Sequence, residues 1–271
     1  MAGVWHDGVW TPAESAWVPF LDNGFLFGEG VFESLRTYNG TPFLLDEHLD
    51  RLFSGLGLLN AAAPRTRTEM KSDINNAMAH WSQMEARIKL ITTARGFYVL
   101  LEPLTLRPAA LYEHGARLIT SKIVRNERNC ISSIKSLSFL DCLLVRREAQ
   151  AAQADEALMF NTQAFVAEGA SSNLFIVSDG TLRTPSLDQG ILPGITRAFV
   201  LKLAAEAGIP CREQRVTRKE LLAADEAFIT GSIAEIVPVA SLDGNVLGKG
   251  REITGQLRMR YRQRTQTAVL P

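Results

Sequence analysis

Ile134-Lys135-Ser136, Val166-Ala167-Glu168-Gly169 and Leu192-Pro193-Gly194-Ile195-Thr196-Arg197 fall in that order within one stretch of the chain. The last of the three decides the local fold. Pro193-Gly194 turns the chain, and Ile195, Phe199, Leu203 and Ala207 repeat at helical spacing until Gly208 and Pro210 end the run. A helix therefore starts at Ile195. Its first N–H groups, those of Ile195 and Thr196, face outward at the positive end of the helix dipole, and Gly194 lets a ligand approach the backbone. From these six residues alone, an anion site and an ordinary helix start are both open readings.

Working outward, residues Asn129 to Leu140 carry no charge except Lys135. A long cation among Ile, Leu, Phe and small polar residues is a candidate for a desolvated amine with a lowered pKa, and such an amine can form a Schiff base. Glu168 ends a short apolar strand. A second glycine-plus-hydroxyl turn, Gly231-Ser232, closes the strand Ala227-Phe228-Ile229-Thr230 and leads into Ile233. Taken singly, Lys135 and Glu168 read as solvated surface charges, the common state of both residue types. Taken together, an amine, a carboxylate and two phosphate-sized turns are what pyridoxal 5′-phosphate requires of a protein.

Composition bounds the alternatives. The 271 residues form one large domain or two moderate ones, and 46% hydrophobic content is ample for a core. Lys plus Arg and Asp plus Glu number 29 each, so no global field favours nucleic acid or an anionic membrane, and any phosphate must be bound locally. Cys130, Cys142 and Cys211 are odd in number and lack C-x-x-C spacing, against both a disulfide framework and a metal site. A reducing cytoplasm is expected. No uncharged apolar run nears the roughly 20 residues that span a bilayer, and Met1 to Trp10 lacks a leader pattern, so a soluble, unprocessed protein is expected.

In chain order, Val4 to Trp10 predicts a hairpin around Asp7-Gly8. Gly24 to Tyr38 leads through glycines into a strand with Val31, Glu33, Leu35 and Thr37 on one face, without the third glycine of a dinucleotide fingerprint. On that strand Arg36 reads as exposed, or as a grip for a substrate carboxylate. Leu44 to Leu59 predicts a helix whose stripe is Leu45, Leu49, Leu52, Phe53 and Leu56, with Glu47, His48, Asp50 and Arg51 off it. Thr66-Arg67-Thr68-Glu69 is a capping box opening a second helix. Arg87 to Thr93 predicts a strand, and Arg95 to Pro108 a loop. The expected domains are 1–112 and 123–271, with a linker over 113–122. Beyond it, a helix is predicted over Leu137 to Ala152 with Leu140, Leu143, Leu144, Arg147 and Ala151 inward. An antiparallel meander of short strands follows, and a basic helix spans Arg251 to Gln266.

Glu47-His48-Leu49-Asp50-Arg51-Leu52, Ile134-Lys135-Ser136-Leu137, Asp155-Glu156-Ala157-Leu158, Glu168-Gly169-Ala170-Ser171-Ser172-Asn173-Leu174-Phe175 and Leu192 to Arg197 occur in one order. In this the chain resembles the class IV, or fold type IV, pyridoxal-phosphate enzymes, which include branched-chain and D-amino-acid aminotransferases, R-selective amine transaminases and aminodeoxychorismate lyases. The resemblance covers nearly the whole chain. It implies an α+β protein with a small α/β N-terminal domain, a larger β-barrel-like C-terminal domain and the cofactor in the cleft, assembled as a homodimer. It implies Lys135 as Schiff-base lysine and proton carrier, and Glu168 as partner of the pyridinium nitrogen. Leu192 would pack on the ring, and Arg51, Gly194, Ile195, Thr196, Gly231 and Ser232 would bind phosphate.

Departures from the family pattern bear on the substrate. Phe139 stands where many branched-chain enzymes have a tyrosine, and Ser34 where they have glycine. Phe32, Arg36, Phe139 and Ile233 are the candidate substrate residues, with Arg95 and Arg107 as further cations. The expected activity is ping-pong transamination between a 2-oxo acid and an amino acid, either a branched-chain or hydrophobic L-amino acid or a D-amino acid. The alternatives are an aminodeoxychorismate lyase and a cofactor-binding protein without turnover.

Overall fold

A computed structural model describes residues 1–248 and 250–267. The described residues form two compact units: residues 1–105 with 134–139 and 265–267, and residues 106–133 with 140–264.

The first unit is a six-stranded antiparallel sheet in the order β2-β1-β6-β5-β3-β4. The hairpin of β1 (Gly3–His6) and β2 (Val9–Pro12) turns at Asp7 and Gly8, whose φ values of 48° and 82° suit the twist of the flanking strands. After the short helix α1 (Asn23–Phe27), capped by the Asp22 carboxylate on the Gly24 N–H, come β3 (Gly30–Tyr38) and β4 (Thr41–Pro42). β5 (Ala86–Thr93) pairs with β3 from Gly30↔Thr93 to Arg36↔Arg87. The expected loop over 95–108 is instead largely β6 (Gly96–Pro103), hairpin-paired with β5. Phe97-Tyr98-Val99-Leu100-Leu101 carries the aromatic and branched composition that fits a pleated surface.

Helices α2 (Leu45–Leu58) and α3 (Arg67–Ala79, with the Thr66–Glu69 capping box) form as the spacing predicts. Leu49, Leu52 and Leu56 are buried. So is His48, expected off the stripe but drawn in by a buried partner on β3. The segment 134–139 lies along the start of β3, with Phe32 N–H donating to Lys135 O at 2.8 Å and Leu137 N–H to Gly30 O at 3.0 Å.

The second unit begins with α4 (Ala109–His114) and β7 (Ala116–Thr120), so the residues expected to form a linker carry a sheet strand. Then follow α5 (Leu140–Ala151), β8 (Glu156–Phe160), β9 (Val166–Gly169), β10 (Asn173–Ser178) and β11 (Thr181–Pro185). Next come α6 (Ile195–Glu206), β12 (Cys211–Gln214), α7 (Arg218–Ala223), β13 (Glu226–Gly231), β14 (Glu235–Leu242), β15 (Asn245–Val246) and α8 (Glu252–Thr267). Strands run β12-β11-β10-β13-β14-β7-β8-β9, and β9 pairs back to β10 at Glu168↔Asn173, closing six of them into a barrel. The expected antiparallel meander is therefore only partial. β7 runs parallel to both β14 and β8, and β11 to β12. Parallel neighbours need long crossovers, and α5 supplies the one from β7 to β8.

Leu118, Leu158, Val166, Leu174, Ile176, Ile229, Val237 and Val239 belong to one buried cluster. Phe175 and Phe228 stack at 4.9 Å elsewhere in the sheet, which explains why β10 and β13 read as nearly continuous apolar runs. Full burial of each such side chain contributes about 1.5–3 kcal/mol. α5 begins at Leu140 rather than Leu137, because Leu137 is already bonded to Gly30. Its inward face is Cys142, Val145 and Ala149; Leu140, Leu143 and Leu144, expected inside, are exposed.

Candidate functional site

The residues singled out by sequence divide between the units. In the second, the closure of the barrel sets Glu168 at the end of β9 opposite Asn173 at the start of β10. Glu168 is buried, and its Oε2 accepts from Asn173 Nδ2 at 3.2 Å and from the Leu192 N–H at 3.0 Å. Asn173 Nδ2 also donates to Leu192 O at 3.0 Å, so Leu192 is tied to Glu168 through its N–H and to Asn173 through its C=O. Arg125 Nη2 stands 3.1 Å from Glu168 Oε1. A buried carboxylate is tolerable only with such partners.

Gly194 is the N-cap of α6, and a Cβ there would fall 1.9 Å from Asn173 Oδ1, so only glycine lets the chain turn beside this amide. Ile195 and Thr196 form the first turn, with Thr196 buried. The helix buries Thr196, Arg197, Val200, Leu203 and Ala204, so of the Ile195–Phe199–Leu203–Ala207 stripe read from spacing only Leu203 is fully buried. Gly231 ends β13, and Ser232 and Ile233, both half-buried, form the turn into β14. Beside them Thr230 Oγ1 is buried without a hydrogen-bond partner among the described residues. Arg107 lines a small cavity with Glu156, Ser171, Thr230 and Gly231.

In the first unit, the Lys135 ammonium lies 4.6 Å from the Phe32 ring centre and 6.0 Å from that of Phe139. The two rings meet edge to face at 5.3 Å. Phe139, which offers no hydroxyl, thus forms part of an aromatic wall around the amine. Arg51 is clamped by Glu33: Nε donates to Oε1 at 2.7 Å and Nη2 to Oε2 at 2.6 Å. His48 Nδ1 lies 2.7 Å from Glu33 Oε2. Burial lowers the His48 pKa, against the hydrogen bond and charge of Glu33, and the charges of Arg51 and Lys135 lower it further. Arg36 is buried over the Tyr38 ring at 4.2 Å, not on an exposed face, and Arg95 is exposed at the β5–β6 turn.

Three site residues were missed from sequence. Lys89 of β5 pairs in register with Ser34, and its Nζ is 5.0 Å from the Phe32 ring centre. Burial and the charge of Arg87 lower its pKa against the pull of Glu102. Its signal was the Arg87-x-Lys89 alternation within an otherwise apolar strand. Glu33 was legible as the acid among inward-facing apolar positions, but its partner on α2 was not. Arg125 had no signal, since Arg125-Asn126-Glu127-Arg128 reads as a solvated charge run.

Residues 30–242 match the sequence model of a family described as amino-transferase class IV. The chain is 34% identical over 286 residues to a branched-chain-amino-acid aminotransferase of Pseudomonas aeruginosa, covering 95% of this chain and 91% of that one. It is 33% identical over 246 residues to a D-alanine aminotransferase of Bacillus licheniformis, covering 86% of each. The crystal structure of the branched-chain amino acid aminotransferase of Escherichia coli superposes with a TM-score of 0.89 at 28% identity, covering 96% of this chain and 93% of that one.

Proposed function

This chain belongs to the class IV aminotransferases, pyridoxal 5′-phosphate enzymes that move an amino group between an amino acid and a 2-oxo acid, and from that premise we propose that Lys135 is its catalytic amine and that branched-chain amino acids are its donors. The observation that carries the reading is the Lys135 ammonium set against the rings of Phe32 and Phe139. A glycine cradle beside Asn173, an orphaned buried hydroxyl at Thr230 and a desolvated carboxylate at Glu168 fit the cofactor's demands.

When bound, the cofactor supplies an aldehyde that exchanges amines and a ring that accepts the electron pair released at the substrate's α-carbon. The protein's own groups do the rest. Lys135 Nζ would hold the cofactor through its aldehyde and, once the substrate's own amine has displaced it there, would be the free amine that carries the proton away from the substrate's α-carbon. Phe32 and Phe139 exclude water from that amine and offer an apolar surface to a hydrophobic side chain. Glu168, fixed by Asn173, Leu192 and Arg125, would hold the proton on the ring nitrogen, and Leu192 would pack against the ring. Arg51, the first turn of α6 at Ile195 and Thr196, and the Gly231-Ser232 turn would take the phosphate. Arg36 and Ile233 border the substrate. Lys89 meets the second carboxylate of a dicarboxylic 2-oxo acid, the other half of the exchange.

The purified protein's visible absorption tests this. A yellow band should bleach on adding leucine or valine and return with a 2-oxo acid. Bleaching by D-alanine alone would reverse the handedness, and pyruvate release from aminodeoxychorismate without an acceptor would replace the transaminase with a lyase.

A homodimer is part of the same reading. Trp17, Phe20, Leu21, Phe25 and Phe27 on one unit and Leu140 on the other are exposed, and apolar patches of that kind mark protein interfaces. The unpaired Cys130, Cys142 and Cys211 suit a reducing cytoplasm, which cell fractionation would check.

A further inference from the structure

The Arg125 guanidinium is held at four points. Nε donates to Gly190 O at 2.8 Å, Nη1 to Asp141 Oδ2 at 3.1 Å and Nη2 to Ser132 O at 3.0 Å, while Nη2 also stands 3.1 Å from Glu168 Oε1. Its side chain is 11% exposed and that of Glu168 7%. A planar fork bonded through all three nitrogens has one orientation, which a lysine ammonium cannot copy. The carboxylate is equally constrained. Oε2 takes the Asn173 amide and the Leu192 N–H, and Oε1 faces the guanidinium, so both oxygens are directed by named groups. The same guanidinium grips Ser132 and Asp141, three residues before and six after Lys135 in the chain.

We propose that Arg125 is a positioning residue for Glu168: the guanidinium fixes the plane of the carboxylate that holds the proton on the cofactor's ring nitrogen, and it acts on cofactor binding and turnover through that carboxylate. The inference rests on the role given to Glu168 above. A structural ion pair alone would behave differently. Replacing both members of a buried pair with neutral groups of similar volume is often harmless to stability, so loss of cofactor affinity separates positioning from scaffolding.

The test is a double-mutant cycle of R125M, E168Q and R125M/E168Q, with R125K as the conservative variant. It is read by equilibrium titration with pyridoxal 5′-phosphate, the pH response of the visible band and urea unfolding. R125M should weaken cofactor binding roughly tenfold, within the range of coupled buried partners, and alter the band's pH response. R125K should recover part of both. On the E168Q background the same substitution should change the dissociation constant by less than about twofold, because the group it acts through is gone. An equal loss with and without Glu168, or no loss in R125M where E168Q shows one, would overturn the proposal while sparing the role of Glu168. E168Q indistinguishable from wild type would overturn that role and the proposal with it. If R125M alone is too unstable to purify, E168Q against the double variant, and wild type against R125K, decide in its place.

Discussion

Glu33 and Arg51 are joined twice, through Nε at 2.7 Å and Nη2 at 2.6 Å, with the carboxylate wholly buried. Burial alone would push the Glu33 carboxyl up. The Arg51 charge and hydrogen bond, helped by His48, outweigh it and hold the group at about 2 against an ordinary 4.5. The pair turns a helix-surface arginine into a guanidinium with one orientation, which the phosphate role proposed for it requires.

Because the folded-state value lies below the unfolded one, this contribution is fully present above about pH 4.5 and is lost as pH falls through about 2. Glu33→Gln should cost about 3 kcal/mol at pH 7, since it takes from the largely buried Arg51 the charge that Glu33 supplies. The cost should shrink toward pH 2.5. Urea unfolding of both proteins across that range checks it, and a difference that stays constant with pH would contradict the account.

Gly194 and Gly231 separate packing from phosphate binding. A Cβ at Gly194 would collide with an Asn173 amide already committed to Glu168 and Leu192, whereas at Gly231 its nearest neighbour would be Ser171 O at 3.3 Å. Gly194→Ala should therefore lose about 1–3 kcal/mol of stability together with cofactor affinity. Gly231→Ala should lose affinity at nearly unchanged stability. Thermal unfolding and cofactor titration of both variants would show it; unchanged affinity in both would remove these turns from the phosphate site.

Much of this was legible in the sequence, and the failures have physical causes. The α6 start, the Asp7-Gly8 hairpin, the Thr66 capping box and the strands β8 to β11 follow from local chemistry, which turn and cap residues report directly. β6, expected as a loop, carries its strand signal in the Phe-Tyr-Val-Leu-Leu composition at its centre. α5 was turned inside out. Leu140, Leu143 and Leu144 carry the strongest apolar signal, and periodicity cannot distinguish an apolar face turned to the core from one left exposed. The partners of Glu33 and Glu168, namely Arg51, His48 and Arg125, are 15 to 43 residues distant in sequence, and only the fold brings them together.

Lys89 stands beside Phe32 with no ion pair of its own among the described residues. Lys89→Met should lower kcat/KM for a dicarboxylic 2-oxo acid by about 10–100-fold, the worth of one charge-assisted hydrogen bond. Use of a branched-chain donor should change by less than about threefold. Steady-state kinetics with 2-oxoglutarate and leucine measure both, and equal losses would reassign Lys89 to general packing.

The exposed apolar residues give the assembly its own test. Leu143→Glu on α5 and Phe20→Glu in the first unit place charges on the surfaces assigned to a second copy. Sedimentation should find twice the chain mass for the native protein and a shift toward one chain mass for the variants. A native monomer would contradict the dimer.

The most direct measurement is borohydride reduction of the cofactor-loaded protein, followed by peptide mass mapping. The account predicts one pyridoxyl-phosphate adduct on the peptide carrying Lys135, absent from Lys135→Ala, a variant that should fold normally and not turn over. An adduct on Lys89 or any other lysine, or turnover retained by Lys135→Ala, would contradict it.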